Sequence, residues 1–94
     1  MTIRELLQLA ADLGADFRES LPARDVGAAA TADELRAALG APLPDEPTDA
    51  ATVTRELAAA AEPGLVATAG GRFYGFVIGG TVPASLAADM LTSA

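Results

Sequence analysis

Six prolines punctuate this chain, at Pro22, Pro42, Pro44, Pro47, Pro63 and Pro83, and their placing limits the fold more than any other feature. A proline inside a helix removes a backbone donor and clashes with the preceding turn, so helices must lie between these positions or start on one. The intervals leave room for helices over about 3–21, 32–39 and 49–61, and for another that opens at Pro83. The segment "APLPDEPTD" holds three prolines in nine residues and reads as an extended linker.

Each interval carries its own start and stop signals. Thr2 and Glu5 have capping-box spacing, and Ile3, Leu6, Leu7, Ala10, Leu13, Phe17 and Leu21 follow at spacings of three and four. Gly14 weakens the middle of that stripe by about 1 kcal/mol relative to alanine, and Pro22 ends it. "PARDVGAAAT" is a loop that pivots on Gly27. Thr31 and Glu34 repeat the capping box before "ADELRAALG", whose apolar face is Leu35, Ala38 and Leu39 and whose stop is Gly40. Thr48 or Asp49 caps the third helix, Val53, Leu57 and Ala60 share one side of it, and "EPG" closes it. "RFYGFVIGG" combines aromatic and β-branched residues between glycines, which predicts one brief strand. After Pro83, Leu86, Ala87, Met90 and Leu91 form the apolar side of a last helix.

The expected class is therefore mainly α, with three or four helices and one short strand. Apolar residues make up 51% of the chain, but alanine supplies many of them and there are only three Phe, one Tyr and no Trp. Alanine buries little area, so the core is expected to be thin. A lone strand also needs an edge to pair with. Both points lead to the expectation that the chain leans on a partner surface, on its own copy, or on further sequence. No internal repeat is present.

Charge and missing residue types exclude several functions. The formal net charge is −7, from 13 acids against 6 bases, and every base is an arginine. The arginines are scattered, so no basic stripe exists for nucleic acid or for an anionic membrane surface. There is no Cys, His or Lys. That removes disulfides, zinc sites built on Cys or His, Ser-His-Asp and Cys-His catalysis, and a lysine Schiff base within the chain. The start "MTIRELLQLAADL" has helical periodicity and charge where a secretory leader has an unbroken apolar core, and no run approaches the ~18 apolar residues of a membrane span. A cytoplasmic protein is the expectation.

Four features compete as sites. Gly79 and Gly80 precede the last helix, so they are either an anion-binding entrance or a tight turn where a side chain would clash. Their spacing matches neither a P-loop nor a dinucleotide fingerprint. On a strand, Phe73 faces one way and Tyr74 and Phe76 the other, one face for the core and the other open to line a pocket. Asp45, Glu46 and Asp49 read as a solvated charge run rather than a metal cluster, and Asp89 as a residue that faces water or caps a neighbour. Arg72 is either exposed or paired with a carboxylate.

The final third, "EPGLVATAGGRFYGFVIGGTVPASLAADMLTSA", resembles the N-terminal region of the pyridoxal-phosphate-dependent group II decarboxylases, the family of the aromatic-L-amino-acid, glutamate and histidine decarboxylases. The residues that carry the resemblance are Pro63, Gly64 and Leu65, then Phe73, Tyr74, Gly75 and Phe76, then Gly79, Gly80, Pro83 and Ala84, and finally Leu86 to Asp89. Two positions depart from it: Gly70 and Gly71 stand where many members have His-Pro, and Met90 where many have Trp.

The resemblance implies the N-terminal arm of a fold-type I pyridoxal-phosphate enzyme rather than a complete domain. Residues 1–64 would be the helical arm, and 65–94 a short strand, a glycine turn and the start of a helix leading into a cofactor domain. The family's cofactor lysine, its pyridinium-pairing aspartate and its stacking histidine all lie beyond the matched region. The chain is thus expected to be a fragment of a homodimeric carboxy-lyase, with no catalytic or cofactor-binding residue of its own. The resemblance places Phe76, Val77, Gly79 and Gly80 on the substrate-pocket wall, with Phe73 and Tyr74 supporting them. The partners it implies are a second subunit and the remainder of the decarboxylase body. The alternative reading of the same chain is a free-standing acidic helical protein–protein interaction module.

Overall fold

A computed structural model describes all 94 residues. Four α-helices form: α1 over Ile3–Ser20, α2 over Ala32–Leu39, α3 over Ala50–Ala61 and α4 over Pro83–Ser93, with a 3-10 turn over Glu62–Gly64. The local signals explain them. Both capping boxes close, Thr2 with Glu5 and Thr31 with Glu34, each side chain accepting or receiving a first-turn backbone N–H. Of the two candidate caps for α3, Asp49 is the one used, its carboxylate accepting from the Thr52 backbone N–H at 3.0 Å. Pro83 takes the first turn of α4.

No strand forms, which corrects the expectation for "RFYGFVIGG". Aromatic and β-branched residues favour a pleated surface only when another strand supplies hydrogen bonds and packing. Every other element here is a helix or a loop, so Phe73–Gly80 has no ladder to join. Its backbone instead closes local turns, from the Phe73 N–H to the Gly70 carbonyl at 3.4 Å and from the Ile78 N–H to the Gly75 carbonyl at 3.3 Å.

Helix α3 is the centre of the packing, with α1 on one side and α2 on the other. Leu6 shares a cavity wall with Ala51 near the start of both helices, and Leu13 and Phe17 share one with Ala58 and Ala61 near their ends. The two helices therefore run in the same direction. The intervening chain returns through α2, and the Leu35 side chain of α2 lies against the Gly64 backbone, where a Cβ would collide with it.

Two loops then tie the ends of these helices together. The Pro63 carbonyl accepts from the Ala29 and Ala30 N–H groups at 2.8 and 2.9 Å, and the Ala67 N–H donates to the Val26 carbonyl at 2.9 Å. This loop pair seats two of the three buried residues, Leu21 and Ala67; the third is Ala51.

The fold is open. Its accessible surface is 7258 Å2, whereas a compact monomer of this mass has about 5,000 Å2. Its radius of gyration is 15.1 Å, against about 12 Å for a globular chain of this length. Helix α4 buries no residue, and Leu86, Met90 and Leu91 remain accessible on it. The thin core expected from alanine is thus observed. No helix is long and apolar enough to cross a membrane.

The caps make the helices sensitive to acid. Hydrogen bonds from Thr2 hold the Glu5 carboxyl below its usual range, and bonds from Thr52 do the same for Asp49. A carboxyl depressed in the folded state stabilises it above the unfolded value, and that contribution is lost as the pH falls through the folded value. Far-UV circular dichroism is expected to hold steady from about pH 7 to about pH 5 and to lose helix below about pH 4. With no histidine present, no side chain has an ordinary titration inside that plateau. Glu5→Gln and Asp49→Asn together should flatten the acid limb; an unchanged limb would mean that the caps do not cause it.

Candidate functional site

The four residues expected on a pocket wall, Phe76, Val77, Gly79 and Gly80, fall in one exposed loop between the 3-10 turn and α4. Their backbone is unusual. Phe76 and Val77 have φ of 59° and 54°, and no glycine in the chain has positive φ. Two successive left-handed residues, closed by the Ile78 N–H to the Gly75 carbonyl, match the φ pattern of a primed hairpin turn. Such turns ordinarily hold Asn-Gly or Asp-Gly, because a Cβ in this region crowds the backbone. Valine, branched at Cβ, is a true outlier there.

The turn thus lies at Gly75–Ile78, ahead of the Gly79-Gly80 pair to which the sequence assigned it. Gly80 has a separate reason to lack a side chain, since a Cβ on it would meet the Ala69 carbonyl oxygen at 3.1 Å. Gly79 stands in open space.

The aromatics divide differently from a strand. Phe73 is half-buried and stacks on Phe76 with ring centroids 6.5 Å apart at 22°. Gly75 lies under the Phe73 ring, 3.0 Å from where its own Cβ would be. Tyr74 is 92% exposed and Phe76 89% exposed. The loop therefore presents Tyr74, Phe76 and Val77 outward, with Phe73 as the one ring that leans inward.

The loop is anchored at both ends by arginines from the sequence background. Before it, Arg72 is exposed and pairs with no carboxylate; its guanidinium donates to the backbone carbonyls of Arg24 and Leu21. After it, Arg18 of α1 donates to the Thr81 carbonyl at 3.0 Å. Arg24 holds the other side of the anchor. Its guanidinium lies 4.7 Å from the Phe17 ring centroid, donates to the Ser20 hydroxyl at 3.0 Å and forms an ion pair with Glu62. Its side chain is only 16% exposed. This cluster joins α1 to the 3-10 turn and carries the loop on its back. Of these arginines only Arg72 stands out in the sequence, by its place before the aromatics; Arg18 and Arg24 carry no such mark.

The other candidates stay apart from the loop. Asp45 and Glu46 are exposed in the linker, Asp49 is spent as a helix cap, and Asp89 is exposed on α4. Val82, at the N-cap of α4, supplies no side-chain cap.

The chemistry this loop can offer is contact rather than reaction. From Phe73 to Gly80 the tyrosine hydroxyl is the only titratable group. Pyridoxal phosphate does not fit the residues present. The chain has no lysine to hold it as an aldimine and no histidine to stack on it, and the loop brings no cluster of side-chain donors for its phosphate. No family model matches the chain, and no curated protein and no solved structure is significantly similar to it.

Proposed function

We propose that this chain is a docking segment of a larger enzyme, and that the enzyme is a pyridoxal-phosphate-dependent amino-acid decarboxylase-like protein. The observation that carries the reading is an exposed aromatic turn held in a costly backbone conformation on an anchored frame. Such strain persists where its surroundings over-determine it. Within this chain the supports of Phe76 and Val77 are the Ile78-to-Gly75 bond and the stack on Phe73, and a second surface seated against the exposed side chains would complete them. The excess of accessible surface supports the same reading, since it is of the size that obligate interfaces cover.

In this reading the helical part, residues 1–64, makes dimer contacts. Residues 65–94 lead into the cofactor-bearing body, and Phe76, Val77, Gly79 and Gly80 contribute one wall of the substrate pocket. The chain supplies no catalytic residue and no cofactor contact, and its work is cytoplasmic. The identity of the body rests on the resemblance of residues 62–94 to the group II decarboxylases.

The test is genetic and then biochemical. The DNA that follows the codon for Ala94 is expected to encode, in the same frame or a neighbouring one, a polypeptide with a cofactor lysine. Co-expression of the two should yield a complex that releases carbon dioxide from an amino acid, with activity lost when residues 1–94 are omitted. A body fully active without them refutes the docking role. A cooperative unfolding transition of the isolated chain, with no such body encoded nearby, would favour the free-standing interaction module instead.

A further inference from the structure

A second surface lies away from the aromatic loop and shares no residue with it. Helices α2 and α3 and the proline linker between them enclose an open groove of about 700 Å3. Its floor is apolar: Leu39 of α2, Leu43 of the linker, and Val53 and Leu57 of α3. These four are all exposed, Leu43 at 94%. The linker's prolines hold Leu43 out in an extended segment that cannot fold back as helix.

The rim has one sign of charge. Asp45 and Glu46 line it from the linker and Glu56 from α3, and no basic residue lines it at all. The nearest candidates in sequence are turned elsewhere. Arg36 pairs with Asp33 at 2.9 Å, and Arg55 lines the cavity on the other side of α3, with Leu13 and Phe17. An apolar floor under an unneutralised acidic rim selects against a second copy of this chain, which carries −7 and has no helix with a basic face.

We propose that this groove docks a basic amphipathic helix of a partner protein. Its apolar residues would fill the floor at the i, i+3, i+4, i+7 spacing of helix-in-groove recognition. Its lysines or arginines would meet Asp45, Glu46 and Glu56. The rim charges set orientation and encounter rate, and the floor supplies contact area. The assignment stands on the groove alone and is independent of the decarboxylase reading.

The test uses the whole chain and two synthetic fluorescent peptides. Both are helical, with leucines at i, i+3, i+4 and i+7; one carries lysine and the other glutamate on the remaining face. Anisotropy titration is expected to show the lysine peptide binding at least about tenfold more tightly, with a preference that shrinks as salt rises. Asp45→Lys with Glu46→Lys should weaken it by about tenfold or more, and Leu43→Ser by about fivefold. All three positions are exposed and outside the helices, so the fold is retained, as far-UV circular dichroism will register. Asp16→Lys with Glu19→Lys makes the same change in net charge on α1 and is expected to weaken binding less than about threefold. Equal losses in the two charge variants would reduce the effect to the overall charge of the chain and overturn the proposal. So would equal affinity for the two peptides, or binding of neither.

Discussion

Arg24→Ala is expected to release the loop pair and to destabilise it by about 2–3 kcal/mol. The arginine makes three kinds of contact from one partly buried side chain: an ion pair with Glu62, a hydrogen bond to Ser20, and a face-on approach to Phe17. Glu62 is more than half exposed, so solvent screens the ion pair and places its share at the low end. The larger share comes from the charged hydrogen bond and from the stem and guanidinium plane over Phe17. The change propagates because the Arg24 carbonyl accepts from Arg72, which anchors the aromatic loop. The readout is hydrogen exchange at the Ala29, Ala30 and Ala67 amides, whose backbone bonds cross the tied segments. At about 1.4 kcal/mol per factor of ten, these amides should exchange about 30- to 150-fold faster. Arg24→Lys keeps the charge but loses the planar fork, and should recover only part of the protection. Unaltered exchange at all three amides in Arg24→Ala would show that the backbone bonds alone hold the loops.

That cluster is also where the sequence was least informative. The helices could be read because their causes are local. A capping box links residues three apart, a proline acts on its own turn, and an apolar stripe repeats within one helix. Thr2, Thr31 and Asp49 accordingly act at the helix starts where the pattern placed them. Arg24 meets Glu62 across 38 positions, and Arg72 reaches the Leu21 carbonyl across 51. Nothing in the spacing of isolated arginines marks such pairings. The nearest available signal is the position of Arg24 seven residues after Phe17, one face of a continuing helix, and the chain keeps that register past Pro22, the Arg24 N–H donating to the Ser20 carbonyl at 2.9 Å.

The aromatic segment failed for a different reason. Its composition suits a strand, but composition alone does not make one. A strand is a relation between two segments, and no second segment of that kind exists in the chain. A lone strand has no edge to pair with, and the segment accordingly turns on itself. The left-handed turn at Phe76 and Val77 was beyond pattern reading altogether. Turn chemistry marks glycine and asparagine for such positions, and the sequence offers Gly79 and Gly80 nearby as decoys. The expected site residues do share one loop, but the feature that distinguishes it is strain on two of them rather than freedom at the glycines.

Val77→Gly is expected to stabilise the isolated chain while weakening the surface it presents. A β-branched residue at φ of 54° costs about 1–2 kcal/mol relative to glycine. Glycine returns part of that through the larger entropy of the unfolded chain, leaving a net gain of about 1 kcal/mol. The substitution removes no packing, since the Val77 side chain is fully exposed. Phe76 is retained so that its stack on Phe73 stays intact. The ranking of a small series identifies the cause. Val77→Asn should gain less than Val77→Gly, and Val77→Ala should gain little, because any Cβ in this region is penalised. Exchange at the Ile78 amide, which closes the turn, gives the local measure. A gain from alanine equal to that from glycine would mean that the side chain's bulk, rather than its backbone conformation, is the source of strain. In the co-expressed complex the same Val77→Gly change is expected to lower activity by about tenfold, as a wall residue is lost and the turn is no longer fixed by its contact. Stability gained in the free chain and activity lost in the complex would together assign the strained valine to the interface. A glycine variant that is more stable and equally active would leave the turn with no role in docking.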